Sequence, residues 1–438
     1  MTPRRRVLLI TYYWPPSGGS GVQRTLKFVK YLREFDWEPV VLTVHPDHAA
    51  WPDRDEELLA DVPAGVKVIQ TRSWDPYAAY AHLKGATKAN AVGVGFLGDA
   101  ERPDRRERFA RWVRANVFLP DARVGWVPFA RRESARLLAS EPVDAVFTSG
   151  PPQSAHLVGA WLQKRTGTPW VADLRDAWPD VAYGHLMPTG SLAARFDRAV
   201  RQRTLERASA LVTVSDEVAR YMEQETGLPF RTLSNGFDPD DIEQAEPKSL
   251  PGFTVVHVGN LSPARNPAPL WDVLTERPWP DVRVVLVGNV DGSIRRHVAS
   301  GPLADVVTEH PYVPHSEALG HMKGASLLLL PINRVTDGAG IVTGKIYEYV
   351  ASGRPVLAFG VPGGEADRIL RESGAGRVFA YDDRDGIRSE LERHVTAWRE
   401  GKPLVGAASD AARPWSRREQ TGRLAGILNE IAGKSRPN

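Results

Sequence analysis

Short apolar runs separated by helix-length stretches set the frame for this chain. Residues 6–10 (RVLLI), 38–43 (EPVVLT), 66–71 (VKVIQT), 144–148 (DAVFT), 170–173 (WVAD) and 210–214 (ALVTV) are mostly apolar and too short for helices. Runs of this kind are strands buried on both faces, which requires helices above and below a parallel sheet. The alternation pauses after residue 238 in PDDIEQAEPKSLPGF, which carries three prolines and four acidic residues. It restarts with FTVVHV (253–258), VRVVLV (282–287), SLLLLP (326–331) and VLAF (356–359). At 438 residues the chain exceeds what one core serves, so two domains of roughly 200 residues are expected. The fold class is α/β: two Rossmann-like domains, with boundaries at 1–238, 239–413 and a final helical segment 414–438.

Several function classes drop out on composition. There is no cysteine, which removes disulfides, thiol catalysis and thiolate-held zinc. Lys+Arg is 56 against Asp+Glu 53, a net of +3, a balance that does not argue for nucleic acid, which needs a clustered basic surface. No run of about 18 apolar residues occurs, so no spanning helix is expected. A cytoplasmic location follows as the expectation. Residues 105–118 set Phe109, Trp112, Val113 and Phe118 among Arg105, Arg106, Arg108, Arg111 and Arg114. A basic amphipathic helix with aromatics fits either peripheral contact with anionic lipid or packing on its own domain.

The chemistry concentrates in DGAGIVTGKIYEYVASGRPVLAF, residues 337–359. It reads as a glycine-rich loop, a short helix from Thr343-Gly344, and a buried strand. Amides at a helix start suit a phosphate, and Lys345 adds a full positive charge there. Glu348, three residues on, shares that face and can accept two hydrogen bonds from a ribose diol. A second constellation is GNLSPARNP after the strand at 253–258. Gly259 permits close backbone approach, and Arg265 offers forked donors for a pyrophosphate. In the first half, Gly18, Gly19 and Gly21 precede a helix and open backbone amides to a ligand. The stretch from Thr11 to Ser17 separates them from the strand, so they do not form a dinucleotide fingerprint. His156 lies in the first turn of a helix starting near Gln153, where the positive helix end lowers its basicity. A neutral histidine there can hydrogen-bond a sugar hydroxyl; a structural role is the other reading. Asp173, Arg175 and Asp176 follow a parallel strand, where charged side chains face the ligand crevice.

TGKIYEYVASGRPVLA resembles the nucleotide-sugar signature of retaining glycosyltransferases of the GT-B architecture, family 4 in particular. The resemblance extends to both halves and weakens between residues 73 and 128. It implies two Rossmann-like domains facing a cleft, with the nucleotide mainly on the second domain and the last helix crossing back to the first. Of the family's two glutamates, Glu348 matches the second. The first falls on Gly340, leaving Asp337 as the nearby substitute for orienting the donor sugar. The resemblance makes Gly18 and Gly19 donor-phosphate contacts and the turn at Val313 a reader of the nucleobase; of its two Arg/Lys clamp positions, Asn260 occupies the earlier and Arg265 the later, so only part of the clamp carries over. It places Asp173, Arg175 and Asp176 on the acceptor side.

The expected activity is transfer of a sugar from a nucleoside-diphosphate sugar, UDP-linked, to a hydroxyl acceptor with retention. Arg265, Lys345 and His156 form the expected catalytic group, and Thr343, Gly344 and Glu348 complete the donor site. No cofactor or metal is required; DPD at 238–240 falls in the linker. Acceptors in scope are a glycan, a lipid-linked glycan or a small molecule. A nucleotide-sugar epimerase and a non-catalytic sugar-nucleotide binder of a polysaccharide assembly share the plan. A dehydrogenase does not fit the spacing of the glycines.

Overall fold

The computed structural model describes residues 4–51, 54–74, 112, 115–179, 189–334, 340 and 342–434. The described chain divides into two compact units. One is Met1–Ser234 with Gln420–Asn438, and the other is Asn235–Glu419.

In the first unit, seven strands form a parallel sheet: β1 (Arg5–Ile10), β2 (Trp37–Val44), β3 (Lys67–Thr71), β4 (Ala145–Gly150), β5 (Trp170–Leu174), β6 (Ala210–Thr213) and β7 (Arg231–Thr232). Their spatial order is β3-β2-β1-β4-β5-β6-β7. β1 pairs with β2 and β4, with Leu8 opposite both Val40 and Val146. The central strands are buried from end to end, which is why they read as plain apolar runs. The final helix, Arg417–Lys434, supplies Leu424, Leu428 and Ile431 to the core around Val7, Leu9 and Trp37. Asn429 Oδ1 there accepts the Trp37 indole N–H at 3.1 Å. A side chain at Gly422 would meet the Phe35 ring at 2.9 Å.

The second unit repeats the plan with six strands: β8 (Phe253–Val258), β9 (Val282–Val287), β10 (Val307–His310), β11 (Leu327–Pro331), β12 (Val356–Phe359) and β13 (Gly376–Phe379). Their order is β10-β9-β8-β11-β12-β13. In both sheets the direction of winding reverses beside the first strand. That reversal falls between β1 and β4 in one unit and between β8 and β11 in the other, and crevices for ligands open at the carboxyl ends there.

Strands β7, β10 and β13 are not legible as apolar runs. They are short edge strands, and β10 alternates half-buried with exposed residues. Among the described residues no helix is long and apolar enough to cross a membrane. Arg105, Arg106, Arg108, Phe109, Arg111, Val113 and Arg114 lie outside the described residues, as does Asp337.

Candidate functional site

The second unit's reversal point brings two loops together. After β8 the chain passes Gly259, at φ +111, a left-handed conformation that favours glycine. A side chain at Gly259 would also overlap the ammonium of Lys345. Lys345, some eighty residues later in sequence, thus runs directly across this glycine. Arg265 ends the short turn Pro263–Arg265, and its Nε donates to Asn333 Oδ1 at 2.5 Å. The Arg334 amide donates back to the Ala264 carbonyl at 3.0 Å. The loops after β8 and β11 are stitched to each other, so Arg265 and Lys345 share one electropositive corner.

The helix bearing Lys345 runs Lys345–Ala351. It is pinned from below: Tyr349 Oη accepts the Val258 amide of β8 at 2.9 Å. The expectation of an anion-binding helix start is modified here. The helix has only seven residues and no side-chain cap, so the side-chain charges outweigh its small dipole. Gly344 is exposed with open space beside it, while the Thr343 hydroxyl is buried without a hydrogen-bond partner among the described residues.

Electrostatics single out Lys345. Burial, and then the positive charge of Arg265, hold its pKa down at about 8, with Glu348 pulling the other way. No described residue hydrogen-bonds or ion-pairs with its ammonium. Two cations repel at this corner while Glu348, the carboxylate that acts on Lys345 among the described residues, is engaged elsewhere. Glu348 Oε1 lies 2.9 Å from His315 Nε2. Beneath the corner, His257 of β8 is buried, its Nδ1 3.0 Å from the Leu329 carbonyl. Burial and then Lys345 drive its pKa down to about 3. Asn260 is exposed, Val313 is half-buried against the core, and Tyr312 beside it is 83% exposed.

In the first unit, the loops after β1 and β4 flank the reversal. Gly19 has φ +87 with open space on its side-chain face; Gly18 is buried. Gly21 is covered by Arg175, whose Nη1 would lie 2.8 Å from an added Cβ. Arg175 in turn lies 3.7 Å from Asp176.

Asp173 is not placed to meet a ligand. It is fully buried, and Arg24 clamps both its oxygens, at 2.9 and 2.8 Å. Ser149 Oγ adds a third bond at 2.8 Å. A strand-end carboxylate faces the crevice by default, but here a buried arginine from the helix Ser20–Tyr31 after β1 draws it inward. Arg24 itself is fully buried.

His156 is fully buried, against Trp170 and Trp178. Its pKa falls to about 4 through burial, partly offset by Asp173. The helix-end effect expected from sequence is not what lowers it. A ring this weakly basic hydrogen-bonds well but removes protons poorly at neutral pH.

Arg24, Gln153, His257, His315 and Asn333 were not singled out by sequence reasoning as partners of the site. The partner of Arg24 lies 149 residues away in sequence. His315 was visible only as the end of the turn after Val313.

With the geometry in hand, the family models fall on both halves. Residues 82–241 match Glycosyltransferase Family 4, and residues 252–396 match Glycosyl transferases group 1. No curated protein matches the chain. Among solved structures, sucrose-phosphate synthase from Thermosynechococcus elongatus is similar at TM-score 0.62 and 14% identity, covering 98% of this chain and 100% of that one. Anabaena HepE in complex with UDP gives 0.61 and 15%, covering 97% and 100%. A putative UDP-N-acetylglucosamine 2-epimerase from Listeria monocytogenes gives 0.54 and 9%, covering 98% and 97%. At such identities these likenesses speak for the fold.

Proposed function

The chain is a GT-B glycosyltransferase of the family 4-like type, and from that premise we propose that it transfers a sugar from a UDP-sugar to a hydroxyl acceptor with retention at the anomeric carbon. The observation that carries the donor half of this reading is the Arg265–Lys345 corner, where the ammonium of half-buried Lys345 has no partner among the described residues. A diphosphate supplies the missing counter-charge. In the reaction the bond from the anomeric carbon to the diphosphate oxygen breaks and a bond to the acceptor oxygen forms on the same face. The acceptor's proton passes to the departing phosphate oxygen. The protein then has to hold negative charge on the leaving group and align the two oxygens. Arg265 and Lys345 do the first, and Glu348 with His315 holds the ribose. The acceptor is a glycan, a lipid-linked glycan or a small molecule. The exposed Trp112, Leu192 and Phe196 of the first unit support peripheral contact with a membrane surface.

A thermal-shift panel of UDP, GDP, ADP and TDP with their common sugars tests the donor reading. UDP compounds are expected to raise the melting temperature most; no shift from any of them rejects it. Incubating donor alone and following it by NMR separates transfer from epimerisation, since an epimerase converts donor without acceptor.

Two predictions belong to this site. Replacing Glu348 with alanine weakens UDP binding about tenfold, because a carboxylate hydrogen bond to the ribose is lost. It also abolishes any preference for UDP over 2′-deoxy-UDP, since a site built to bind a hydroxyl rejects the analogue lacking it. Calorimetry with both nucleotides checks this, and an unchanged preference removes the ribose role. The second concerns pH. With its free-state pKa at about 8, Lys345 is part-neutral in alkaline solution, and a bound diphosphate favours the ammonium. Binding therefore takes up protons, and UDP affinity falls as pH rises through 8 towards 9.5. Calorimetry in buffers of different ionisation enthalpy reads the uptake directly. Lys345→Arg, always charged, should flatten the profile.

A further inference from the structure

The second unit's sheet is split at its reversal point, and two buried side chains occupy the split. β8 and β11 pair at Val255–Leu327 and Val256–Leu328, and the pairing ends there. Neither strand frays. β8 stays with β9 as far as Val258, and the Gly259 amide donates on to the Val287 carbonyl at 2.7 Å. β11 stays with β12 as far as Pro331, and the Ile332 amide donates to the Phe359 carbonyl at 2.9 Å. Only the seam between β8 and β11 opens, and backbone groups that lose a ladder partner in a buried place must find another.

Tyr349 and His257 supply the replacements. Tyr349 Oη accepts the Val258 amide at 2.9 Å and directs its own proton to the Leu329 carbonyl at 3.4 Å. A carbonyl only accepts, so His257 donates to Leu329 through Nδ1–H, at 3.0 Å. One hydroxyl thus bridges the parted strands, and the imidazole spans the same gap beside it. Both side chains are buried. The split adjoins the donor corner. Gly259, across which the Lys345 side chain runs, is the residue after Val258. Tyr349 comes four residues after Lys345, on the same face of its helix. The Val258–Tyr349 bond therefore ties the strand that leads into the glycine to the helix that carries the lysine.

We propose that Tyr349 and His257 are positioning residues of the donor corner: by filling the parted seam they hold the lysine helix in register with Gly259, so that the Lys345 ammonium stays over the glycine and beside Arg265. The role rests on the diphosphate reading of that corner. A phenylalanine at position 349 keeps the ring but leaves the Val258 amide without its acceptor. The short helix then loses its tie to β8, and the ammonium turns out into water. A leucine at position 257 removes the second bridge, the bond to the Leu329 carbonyl.

The test follows UDP affinity on the full chain by calorimetry, from about pH 7 to about pH 9.5, with thermal melts alongside. The groups that act on Lys345 are Arg265, in the turn after β8, and Glu348, on its own helix; His257 senses its charge from β8. Tyr349→Phe and His257→Leu are expected to bind UDP about tenfold more weakly near neutral pH. The alkaline fall in their affinity should also move upwards, towards the ordinary lysine range, because the ammonium regains water. His257→Asn keeps a donor close to the place of Nδ1 and is expected to recover most of the affinity and the parent's pH profile. A purely structural role lowers the melting temperature alone, so folded variants with the parent's affinity and pH profile overturn the proposal. His257→Asn binding as weakly as His257→Leu overturns the part given to His257. Amide exchange in the parent protein decides even if the variants do not fold. Val258 is expected to exchange as slowly as the paired amides of β8, and exchange at the rate of an open strand end overturns the bridge. If UDP fails to bind the parent protein at any pH, the diphosphate reading fails, and Val258 exchange still decides the bridge.

Discussion

Lys345→Ala lowers the transfer rate by about a hundredfold or more while the melting temperature stays level or rises. The two halves of that result come from one cause. The ammonium sits mostly out of water, beside Arg265, above a glycine that leaves room only for its own chain. Its pKa in the folded protein, at about 8, lies below the ordinary lysine value of 10.5. A lysine whose folded-state pKa is lowered binds its proton less readily than in the unfolded chain. At neutral pH folding is therefore opposed by its charge, and that opposition fades as pH rises from 8 towards 10.5. Removing the ammonium relieves the folded state and deprives the leaving diphosphate of a preorganised charge. Steady-state rates and thermal melts on the same preparation check both halves. Arg265→Ala should follow in rate. It should gain less in stability, because its bond to Asn333 joins the two loops and is lost with it. Near-normal rates in both variants would remove the proposed clamp.

The Lys345 prediction also shows how far sequence carries. The strands that form the sheet centres are plain apolar runs, so the order of elements could be read from chemistry alone. Lys345, Arg265, Gly259 and Glu348 were legible because each sits within a few residues of a strand end or helix start, where ligand groups gather in doubly wound sheets. Partnerships over long sequence distance were not. Asp173 and Arg175 follow the same strand, and local reasoning treats them alike. Only the fold reveals that Asp173 is clamped from beneath by Arg24, while Arg175 lies over Gly21 at the first helix. His156 is a subtler case. A lowered basicity was expected from the helix start, whereas burial is its main cause. Burial depends on Trp170 and Trp178, which no helix-end argument includes.

Arg24→Ala is expected to destabilise the first unit by about 3–5 kcal/mol, more than any other single change proposed, because it leaves a buried carboxylate without its counter-charge. Arg24 and Asp173 are both fully buried. Arg24 Nε and Nη2 each hold one Asp173 oxygen, which is the bidentate geometry that makes arginine–carboxylate pairs strong. The same guanidinium donates to the carbonyls of Leu233 at 2.7 Å and Ser234 at 3.0 Å. Ser234 ends the first unit, where the chain passes into the second. Arg24 therefore joins the first helix, the end of β5 and the exit of the chain at a single point. For a unit of this size the loss corresponds to a fall in melting temperature of roughly 10 °C. The double variant Arg24→Met with Asp173→Leu separates charge from packing. Removing both charges abolishes the unpaired carboxylate, so much of the stability should return. Recovery should remain incomplete, because the carbonyls of Leu233 and Ser234 still lack donors. Denaturant melts of both variants read this directly. If the single and double variants are equally destabilised, the cost lies in those two carbonyls and the ion pair is incidental. If Arg24→Ala melts with the parent protein, the buried pair has no structural weight and Asp173 returns as a candidate for the acceptor side.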